Sequence, residues 1–279
     1  MRDERYDFFT ALLACCHAFS HTDLTLTAIH PDGKHPTPSR HIRIDHPTAL
    51  QEALARLDAA NAKGWGAYFA VGLRQPGLTR WKRGGAADVV ALPALFVDVD
   101  DPSSEALARL QCAQLKPSCI VLSGGGYHAY WWLDEPTTAL ETARQLLRGL
   151  ASTLQGDSLS VAQSLRVPST LNTKPQRHHA LCHLIDLNER RYKVSDFVPL
   201  LPASMSSSRV ERQPSVTAVP FTPNADLVAR VTDELIRRGC KPRGEWLNGA
   251  CPFPERHKQG DQHPSFGFNT RSAYGFCHV

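Results

Sequence analysis

The sequence contains no apolar run close to the roughly 18 residues that a membrane-spanning helix needs, and no recognisable signal peptide. It therefore supports neither membrane insertion nor secretion. A regular disulfide framework is also missing, because the cysteines are irregularly spaced and most lie in apolar segments. We therefore predict buried, reduced thiols in a cytoplasmic protein. The eight cysteines are Cys15, Cys16, Cys112, Cys119, Cys182, Cys240, Cys251 and Cys277.

A strong excess of one charge is absent as well. The formal net charge is only +4, so the chain has no highly basic arm for nucleic acid. Its 279 residues, 42% of them hydrophobic, allow one large domain or two smaller ones, and we find no internal repeat. A serine- and proline-rich stretch predicts a linker over 202–224, between a large domain at 1–201 and a small module at 225–279.

Helical and strand-like patterns mix along the large domain, which predicts an α/β (α+β) fold. Helices are expected over 4–19, 48–63, 103–110, 138–154 and 225–238. Strands are expected over 24–29, 40–44, 66–73, 94–97, 119–122 and 127–133.

Two carboxylates follow the apolar strand expected at 94–97. Successive strand side chains point to opposite faces, so Asp98 and Asp100 share a face and Val99 lies on the other. Neighbouring carboxylates repel each other and are costly to bury unless a cation neutralises them. The hard cations Mg²⁺ or Mn²⁺ fit this pair. The alternative is a solvated strand end that leads into a helix capped near Ser103.

A glycine turn separates the next two strand-like segments. It consists of Ser123, Gly124, Gly125 and Gly126. Glycines permit positive φ and a close backbone approach to a ligand, and consecutive N–H groups can bind an anion. His128, at the start of the return strand, could then reach a phosphate. The alternative is a plain hairpin with a flexible tip.

A segment with basic residues follows the helix expected over 138–154. Asp157 comes first, and Arg166, Asn172 and Lys174 come after it. The planar guanidinium of Arg166 suits phosphate oxygens, Lys174 offers a point charge, and Asn172 can donate to a ribose or a phosphate. The alternative is a surface loop whose turns are fixed by two prolines.

The order of these motifs resembles the archaeo-eukaryotic primase superfamily, and more closely the primase-polymerase (PrimPol) domains of plasmids, phages and other mobile elements. The motifs are Asp-x-Asp at 98–100, Ser-Gly-Gly-Gly-Tyr-His at 123–128, Gly-Asp at 156–157 and Leu-Arg-Val-Pro-x-Thr-x-Asn-x-Lys at 165–174. Lys-Arg-Gly at 82–84 and Asp-Val at 88–89 extend the resemblance, which spans about residues 64–187. It implies an RRM-like catalytic core with flanking helices.

The resemblance also implies roles for these residues. The ligands of two divalent metals, Mg²⁺ or Mn²⁺, would be Asp98, Asp100 and Asp157. The contacts to the triphosphate of the incoming nucleotide would be His128, Arg166 and Lys174. The turn 123–126 would line that pocket with backbone donors. One departure is Ser169, where family members often have glycine, so we expect a different local turn there.

The implied activity is DNA-dependent nucleotidyl transfer by two-metal catalysis. Such an enzyme would synthesise or extend primers on a single-stranded DNA template from NTPs or dNTPs, in replication or repair of a mobile element or its host. A helicase or another replication protein is an implied partner.

Four basic residues precede the first carboxylates, with Trp81 among them. They are Arg74, Arg80, Lys82 and Arg83. Basic side chains with an interleaved aromatic suit a single-stranded DNA path, where bases stack and phosphates pair. The alternative is a solvated loop.

The end of the chain carries a separate signal. Three of the four ligands of a tetrahedral Zn²⁺ site are present, namely Cys251, His257 and Cys277. His263 or His278 would supply the fourth. The segment resembles the zinc-finger modules that accompany primases, so we expect a partial zinc module and a longer protein beyond it. The alternative is two unrelated cysteines in a flexible tail.

Two other classes of function compete with this interpretation. Replication-initiator and relaxase nucleases use an RRM-like sheet with paired histidines and a tyrosine, and Tyr192 lies near His179 and His183. On a strand expected over 177–183, those histidines would lie about 13 Å apart at about 3.3 Å per residue, which is awkward for one metal. The other class is a non-catalytic nucleic-acid-binding module, which would bind DNA without metal-dependent nucleotide binding.

Overall fold

The computed structural model describes residues 4–157, 159–200, 224–253 and 265–277. The chain divides into two compact units, Met1–Val210 and Glu211–Val279. The linker predicted over 202–224 lies outside the described residues apart from Asn224, so the predicted domain boundaries stay predictions. Among the described helices, none is both long and apolar enough to cross a membrane.

The described part of the first unit mixes helices with many strands. Its helices are α1 (Glu4–Leu13), α2 (Pro47–Asn61), α3 (Ser104–Gln111) and α4 (Leu140–Leu154). Its strands are β1 (Asp23–Ile29), β2 (Ser39–Arg43), β3 (Gly66–Ala70), β4 (Leu73–Arg74), β5 (Val89–Val99), β6 (Cys119–Leu122), β7 (Tyr127–Thr137), β8 (Ser164–Arg166), β9 (His183–Leu187) and β10 (Arg191–Tyr192). Short 3₁₀ turns lie at His17–Phe19, Ala86–Asp88, Pro175–Arg177 and Val194–Leu200.

These strands form one ten-stranded sheet in the order β8-β3-β1-β4-β5-β7-β6-β9, with β2 paired to β1 and β10 paired to β7. Every pairing is antiparallel except that of β10 with β7. The mixed α and β architecture agrees with the fold class expected from the sequence.

Several elements differ from their expected bounds. The first helix ends at Leu13 rather than continuing to residue 19, and the strand expected over 66–73 breaks into β3 and β4. The strand before the first carboxylates begins at Val89, five residues earlier than the expected start at 94. The cap of α3 is where the pattern placed it, because the Ser103 Oγ atom accepts from the Ala106 N–H at 3.1 Å.

Helix α1 joins the two halves of the sheet through aromatic contacts. The ring of Phe8 lies 5.3 Å from Phe69 of β3, 5.3 Å from Tyr130 and 5.6 Å from Trp132 of β7, all edge-on. Edge-to-face pairs of this kind are favourable beyond the area that they bury. The helix therefore links β3, on one side of the sheet, to β7 on the other.

The second unit has its own small sheet. It contains α5 (Ala225–Arg237) and the antiparallel strands β11 (Lys241–Arg243), β12 (Trp246–Gly249), β13 (Phe266–Asn269) and β14 (Tyr274–Cys277), paired in chain order. Its buried core is Leu235, Cys240, Leu247 and Phe268.

Candidate active site

The pairing of β5 with β7 places the first predicted carboxylate beside the predicted histidine. Asp98 is the direct partner of His128, so both side chains project from the same face of the sheet. The Asp98 Oδ1 atom lies 3.5 Å from His128 Nε2. A carboxylate and an imidazole that are distant in the sequence thus lie together.

The other two predicted carboxylates lie next to Asp98. Asp100 is exposed just beyond the end of β5. Asp157 follows α4, and its backbone N–H donates to the Asp98 carbonyl oxygen at 2.7 Å. Gly156 permits this approach, because a Cβ atom there would lie 2.4 Å from Val97 Cγ2 and 2.7 Å from the Asp98 oxygen. The structure therefore gathers all three predicted carboxylates at the end of one strand.

The surroundings of Asp98 disfavour its negative charge. Burial raises the pKa of Asp98 to about 7, and the charges of Asp100 and Asp157 add to that rise. Lys174 and Arg166 act in the opposite direction. The Asp98 Oδ1 atom is also buried without a hydrogen-bond partner. A cation at this point would relieve both the repulsion between the carboxylates and the lack of a partner.

His128 is an uncharged neighbour of that carboxylate. Burial lowers the pKa of His128 to about 3, and the positive charges of Arg166 and Lys174 contribute to the lowering. The imidazole is therefore neutral near pH 7, and its contact with Asp98 is not an ion pair. Its Nδ1 atom is buried without a hydrogen-bond partner.

The predicted basic side chains lie across from the carboxylates. Arg166 ends β8, pairs with Tyr68 of β3, and has its guanidinium carbon 4.7 Å from the centre of the Tyr68 ring. The side chain is buried, and its Nη1 atom makes no hydrogen bond. A buried guanidinium nitrogen in this state favours an anionic ligand.

Residues from both halves of the sheet line one cleft, which we call the carboxylate cleft. The sequence-predicted residues that line it are Asp98, Asp100, Ser123, Gly125, His128, Arg166, Asn172 and Lys174. Strands β5 and β8 are separated by three strands in the sheet order, so the sheet must curl to bring their ends together. Asp157 is not among the lining residues, but it is the bridge partner of Asp98.

The predicted glycine turn is tight and packs against the end of β5. The N–H and the Oγ of Ser123 both donate to the Gly126 carbonyl oxygen, at 2.8 and 3.0 Å. Gly124 has a φ of 76°, and a Cβ atom on Gly126 would lie 2.0 Å from the Val99 carbonyl oxygen. Glycine is therefore required at both positions. The Ser123 N–H is already used within the turn.

Asn172 fastens the turn to the basic segment. Its Nδ2 atom donates to the Ser123 carbonyl oxygen at 2.9 Å, and its Oδ1 atom accepts from the Lys174 N–H at 3.3 Å. The side chain is buried. Its predicted contact with a nucleotide stays a prediction, and the contacts in the structure position its neighbours.

The expected difference between the turn at Ser169 and that of the family stays a prediction. Ser169 has a φ of 58°, which is the left-handed conformation that glycine adopts easily. Its Oγ atom donates to the Glu4 Oε1 atom at 2.6 Å, and the other Glu4 carboxylate oxygen accepts from the Leu184 N–H at 3.3 Å. Serine thus keeps a glycine-like backbone with the support of α1.

The predicted DNA-contacting residues differ in their exposure to solvent. Arg74 is fully buried and donates to the carbonyl oxygens of Gly85 and Ala162, at 3.4 and 2.9 Å. Burial lowers the pKa of Arg74 to about 10. The assignment of Arg74 to a DNA surface is therefore wrong, because its guanidinium joins two loops inside the fold. The exposed members of the predicted set are Arg80, Lys82 and Arg83.

Sequence reasoning missed several residues of the carboxylate cleft. They are Tyr68, Gln163, Ser164, Leu165 and Arg177. A Cβ atom on Gly125 would lie 2.6 Å from the Arg177 guanidinium carbon, so Arg177 covers the glycine turn. The sequence could have indicated Arg177 as a site residue, because it lies three residues after Lys174 in the same basic segment. Tyr68 had none, because its place depends on the pairing of β3 with β8.

The predicted zinc ligands are only partly described. Cys251 is buried, and its sulfur accepts from the Phe253 N–H at 3.4 Å. The Cys277 sulfur in β14 lies 3.0 Å from Ser265 Oγ. The other candidates, His257, His263 and His278, lie outside the described residues. The zinc module therefore stays a prediction.

The histidine-rich segment does not support the nuclease alternative. The strand expected over 177–183 is wrong, since His178 and His179 have φ values of 49° and 55° and β9 begins only at His183. The Tyr192 hydroxyl is not exposed for attack on a phosphate, because it donates to the Lys116 carbonyl oxygen at 2.5 Å. Tyr192 itself is buried.

Solved structures show what this architecture resembles. No protein-family model and no curated protein matches the sequence. The AEP domain of the primase-polymerase (PrimPol) of cyanophage S-2L matches with a TM-score of 0.53 and 17% identity, over 71% of this chain and 97% of that domain. The catalytic domain of primase RepB′, solved in complex with initiator DNA, matches with a TM-score of 0.49 and 15% identity, over 70% of this chain and 94% of that one.

The match to the phage domain identifies the fold. The protein is an α+β protein with a large, mainly antiparallel sheet. Within that class, it has the archaeo-eukaryotic primase fold of primase-polymerases, as the order of the sequence motifs implied.

Proposed function

We propose that this protein is a DNA-dependent nucleotidyltransferase that synthesises or extends primers on single-stranded DNA. The observation that carries the proposal is the division of the carboxylate cleft into an acidic and a basic side. The acidic side is Asp98, Asp100 and the adjacent Asp157, and the basic side is Arg166, Lys174 and Arg177. A nucleoside triphosphate with its divalent cations has matching charges.

The residues present fit divalent cations. Asp98, Asp100 and Asp157 supply only oxygen donors, which Mg²⁺ and Mn²⁺ prefer. The raised pKa of Asp98, about 7, and its unpartnered Oδ1 atom are features that a bound cation would relieve. When bound, such ions stabilise the attacking and the leaving oxygens of an in-line phosphoryl displacement.

The basic side of the cleft would bind the triphosphate. Arg166 is fixed by its stacking on Tyr68, so its guanidinium is already oriented for phosphate oxygens. The backbone of Lys174 is held by the contact of its N–H with the Asn172 side chain. Positive groups at this place offset the charge that develops on the departing pyrophosphate. His128, held neutral by burial, has one ring N–H that can donate a hydrogen bond to a phosphate oxygen.

Primer synthesis on unprimed single-stranded DNA tests the proposal, with labelled NTPs or dNTPs and Mg²⁺ or Mn²⁺. We expect short labelled products from the wild type. The Asp98→Asn variant keeps the shape of the side chain but removes its charge, so its yield should fall at least about a hundredfold. The matched control is Asp134→Asn, an exposed carboxylate on the same strand as His128.

The control variant should synthesise primers at the wild-type rate. Equal activity of the wild type and Asp98→Asn would contradict the metal assignment. Loss of activity in both variants would point to a general defect of folding, which circular dichroism and thermal unfolding of each variant would detect.

A further inference from the structure

A second cluster of metal-ligating side chains lies outside the carboxylate cleft, in the connection between β1 and β2. His30 directly follows β1, and Asp32 and His35 lie in the loop after it. Their ligand atoms all lie within 4.8 Å of one another. In the part of the chain that the structure describes, no other group of three His, Cys, Asp or Glu side chains is gathered so closely.

Both imidazoles approach the same carboxylate oxygen. Asp32 Oδ1 lies 2.7 Å from His30 Nδ1 and 3.1 Å from His35 Nδ1. Zn²⁺ holds nitrogen and oxygen ligands at about 2.0–2.2 Å, so the ligand atoms of a tetrahedral site lie about 3.3 Å apart. The two distances to Asp32 Oδ1 lie within about 0.6 Å of that spacing, and all three ligand atoms lie within 4.8 Å of one another.

Short polar contacts join both imidazoles to the Asp32 carboxylate. His35 Nδ1 and Asp32 Oδ1 have hydrogen-bond geometry. His30 Nδ1 is buried and lies 2.7 Å from the same oxygen. A bound Zn²⁺ would take the place of the proton between each imidazole nitrogen and this carboxylate.

The surrounding residues hold the three side chains in place. The Trp65 ring packs edge-on against both imidazoles, with ring centres 5.1 Å from His30 and 5.6 Å from His35. Asp32 Oδ1 also accepts from the Lys34 N–H at 2.9 Å, which orients the carboxylate. Metal-binding side chains commonly have such supporting contacts, which fix their orientation before the ion binds.

We propose that His30, Asp32 and His35 form a zinc site, with water as the fourth ligand. Imidazole nitrogens with one carboxylate oxygen suit Zn²⁺, whereas Mg²⁺ prefers oxygen ligands alone. The half-exposed position of His35 leaves room for the water. The ion would tie the end of β1 to the following loop and hold Trp65 against it.

The zinc site has a physical connection to the carboxylate cleft. The Trp65 carbonyl oxygen accepts from Asn61 Nδ2 at 2.8 Å, and the same nitrogen donates to the Leu171 carbonyl oxygen at 2.9 Å. Leu171 precedes Asn172 in the segment that carries Lys174. Zinc binding should therefore stabilise the fold around this segment. The proposal of a zinc site is independent of the proposed transferase activity.

Calorimetric titration of the metal-stripped full chain with Zn²⁺ tests the proposal, in excess Mg²⁺ to occupy the carboxylate cleft. We expect Asp32→Asn and His35→Ala each to weaken one zinc-binding event by at least about tenfold. The matched control is His46→Ala, because His46 Nε2 lies 3.6 Å from Asp45 Oδ1 without belonging to a group of three ligands. This control should bind zinc as the wild type does.

Titration with Co²⁺ separates this site from the predicted cysteine module. A site with nitrogen and oxygen ligands gives a visible cobalt spectrum without the near-ultraviolet charge-transfer band of a thiolate. We expect that spectrum to persist in Cys251→Ser and to disappear in Asp32→Asn. Zinc binding that is lost only in Cys251→Ser, or lost equally in His46→Ala, would overturn the proposal. Unchanged thermal unfolding of metal-free Asp32→Asn would exclude misfolding as the cause.

Discussion

The surroundings of Asp98 disfavour its negative charge. It is mostly buried, two other carboxylates lie nearby, and its Oδ1 atom lacks a hydrogen-bond partner. A neighbouring imidazole that stays neutral gives it no compensating charge. Such a carboxylate is unfavourable for folding alone, which is typical of residues that serve a ligand.

The raised pKa of Asp98 predicts how the metal-free protein responds to pH. An unfolded aspartate loses its proton near pH 4, whereas Asp98 in the folded state keeps it until about pH 7. The folded state therefore binds more protons between these values, and the Asp98 contribution to stability falls as the pH rises. Because asparagine does not ionise, the Asp98→Asn variant does not lose this contribution to stability as the pH rises.

Urea unfolding of the wild type and Asp98→Asn in EDTA, between pH 4 and pH 8, measures the effect. The free energy of unfolding of the variant should gain roughly 2–4 kcal/mol on that of the wild type across this range. The lowered pKa of His128 acts in the opposite direction below about pH 6.5. Above about pH 6.5 the folded and the unfolded imidazole are both largely neutral, so that part of the comparison is free of this effect. A difference that does not change with pH would contradict the placement of Asp98.

Ser169 gives a second prediction for a single residue. Ser169→Ala loses the hydrogen bond to Glu4 but keeps the left-handed backbone, whereas Ser169→Gly loses the same bond and relieves the backbone strain. The glycine variant should therefore be more stable than the alanine variant by about 1 kcal/mol. Thermal unfolding of both variants measures this difference. Equal stability would mean that φ at residue 169 is not positive in solution.

Residue types alone could not separate a surface arginine from a buried one. Arg74 lies among other basic residues in the sequence, yet the carbonyl oxygens of Gly85 and Ala162 satisfy it inside the fold. Those partners come from loops that only the tertiary structure brings together. For the same reason, the sequence did not predict that Tyr68 and Ser164 line the carboxylate cleft.

At the scale of elements, the turn between β6 and β7 depends on its contact with the end of β5. We expect Gly126→Ala to destabilise the protein by about 1–3 kcal/mol, because the new Cβ atom would lie 2.0 Å from the Val99 carbonyl oxygen. Chemical denaturation measures this loss. Gly85→Ala is the matched control, since nothing lies within 4 Å of a Cβ atom there, and it should change stability by less than about 0.5 kcal/mol.

A wild-type stability for Gly126→Ala would show that the turn does not pack against β5 as described.

The sequence predicted β6 correctly at 119–122 because an apolar run ends there at a serine and three glycines. It placed the start of β5 five residues too late, because the proline and alanines between 91 and 94 obscured the strand pattern. The local pattern thus identified the elements better than their ends.

At the scale of the whole molecule, the carboxylate cleft is assembled from segments that the sheet order separates. The order of the motifs could be read in the sequence, and it implied the archaeo-eukaryotic primase fold. The structure is similar to the phage primase-polymerase domain, which agrees with that fold. The curling of the sheet, which brings β8 to β5, was not readable. Helix α1 packs across the sheet, since Phe8 contacts Phe69 of β3 and both Tyr130 and Trp132 of β7.

Nucleotide incorporation on a pre-annealed, end-labelled primer and template tests the central claim most directly, with Mg²⁺ or Mn²⁺ and beside Asp98→Asn. We expect the labelled primer to lengthen by the templated nucleotides with the wild type and with Asp134→Asn, and to stay unchanged with Asp98→Asn. Shortened labelled strands would mean a nuclease. A primer that is bound but unchanged by the wild type, in every metal and nucleotide combination, would mean a nucleic-acid-binding module and would contradict the account.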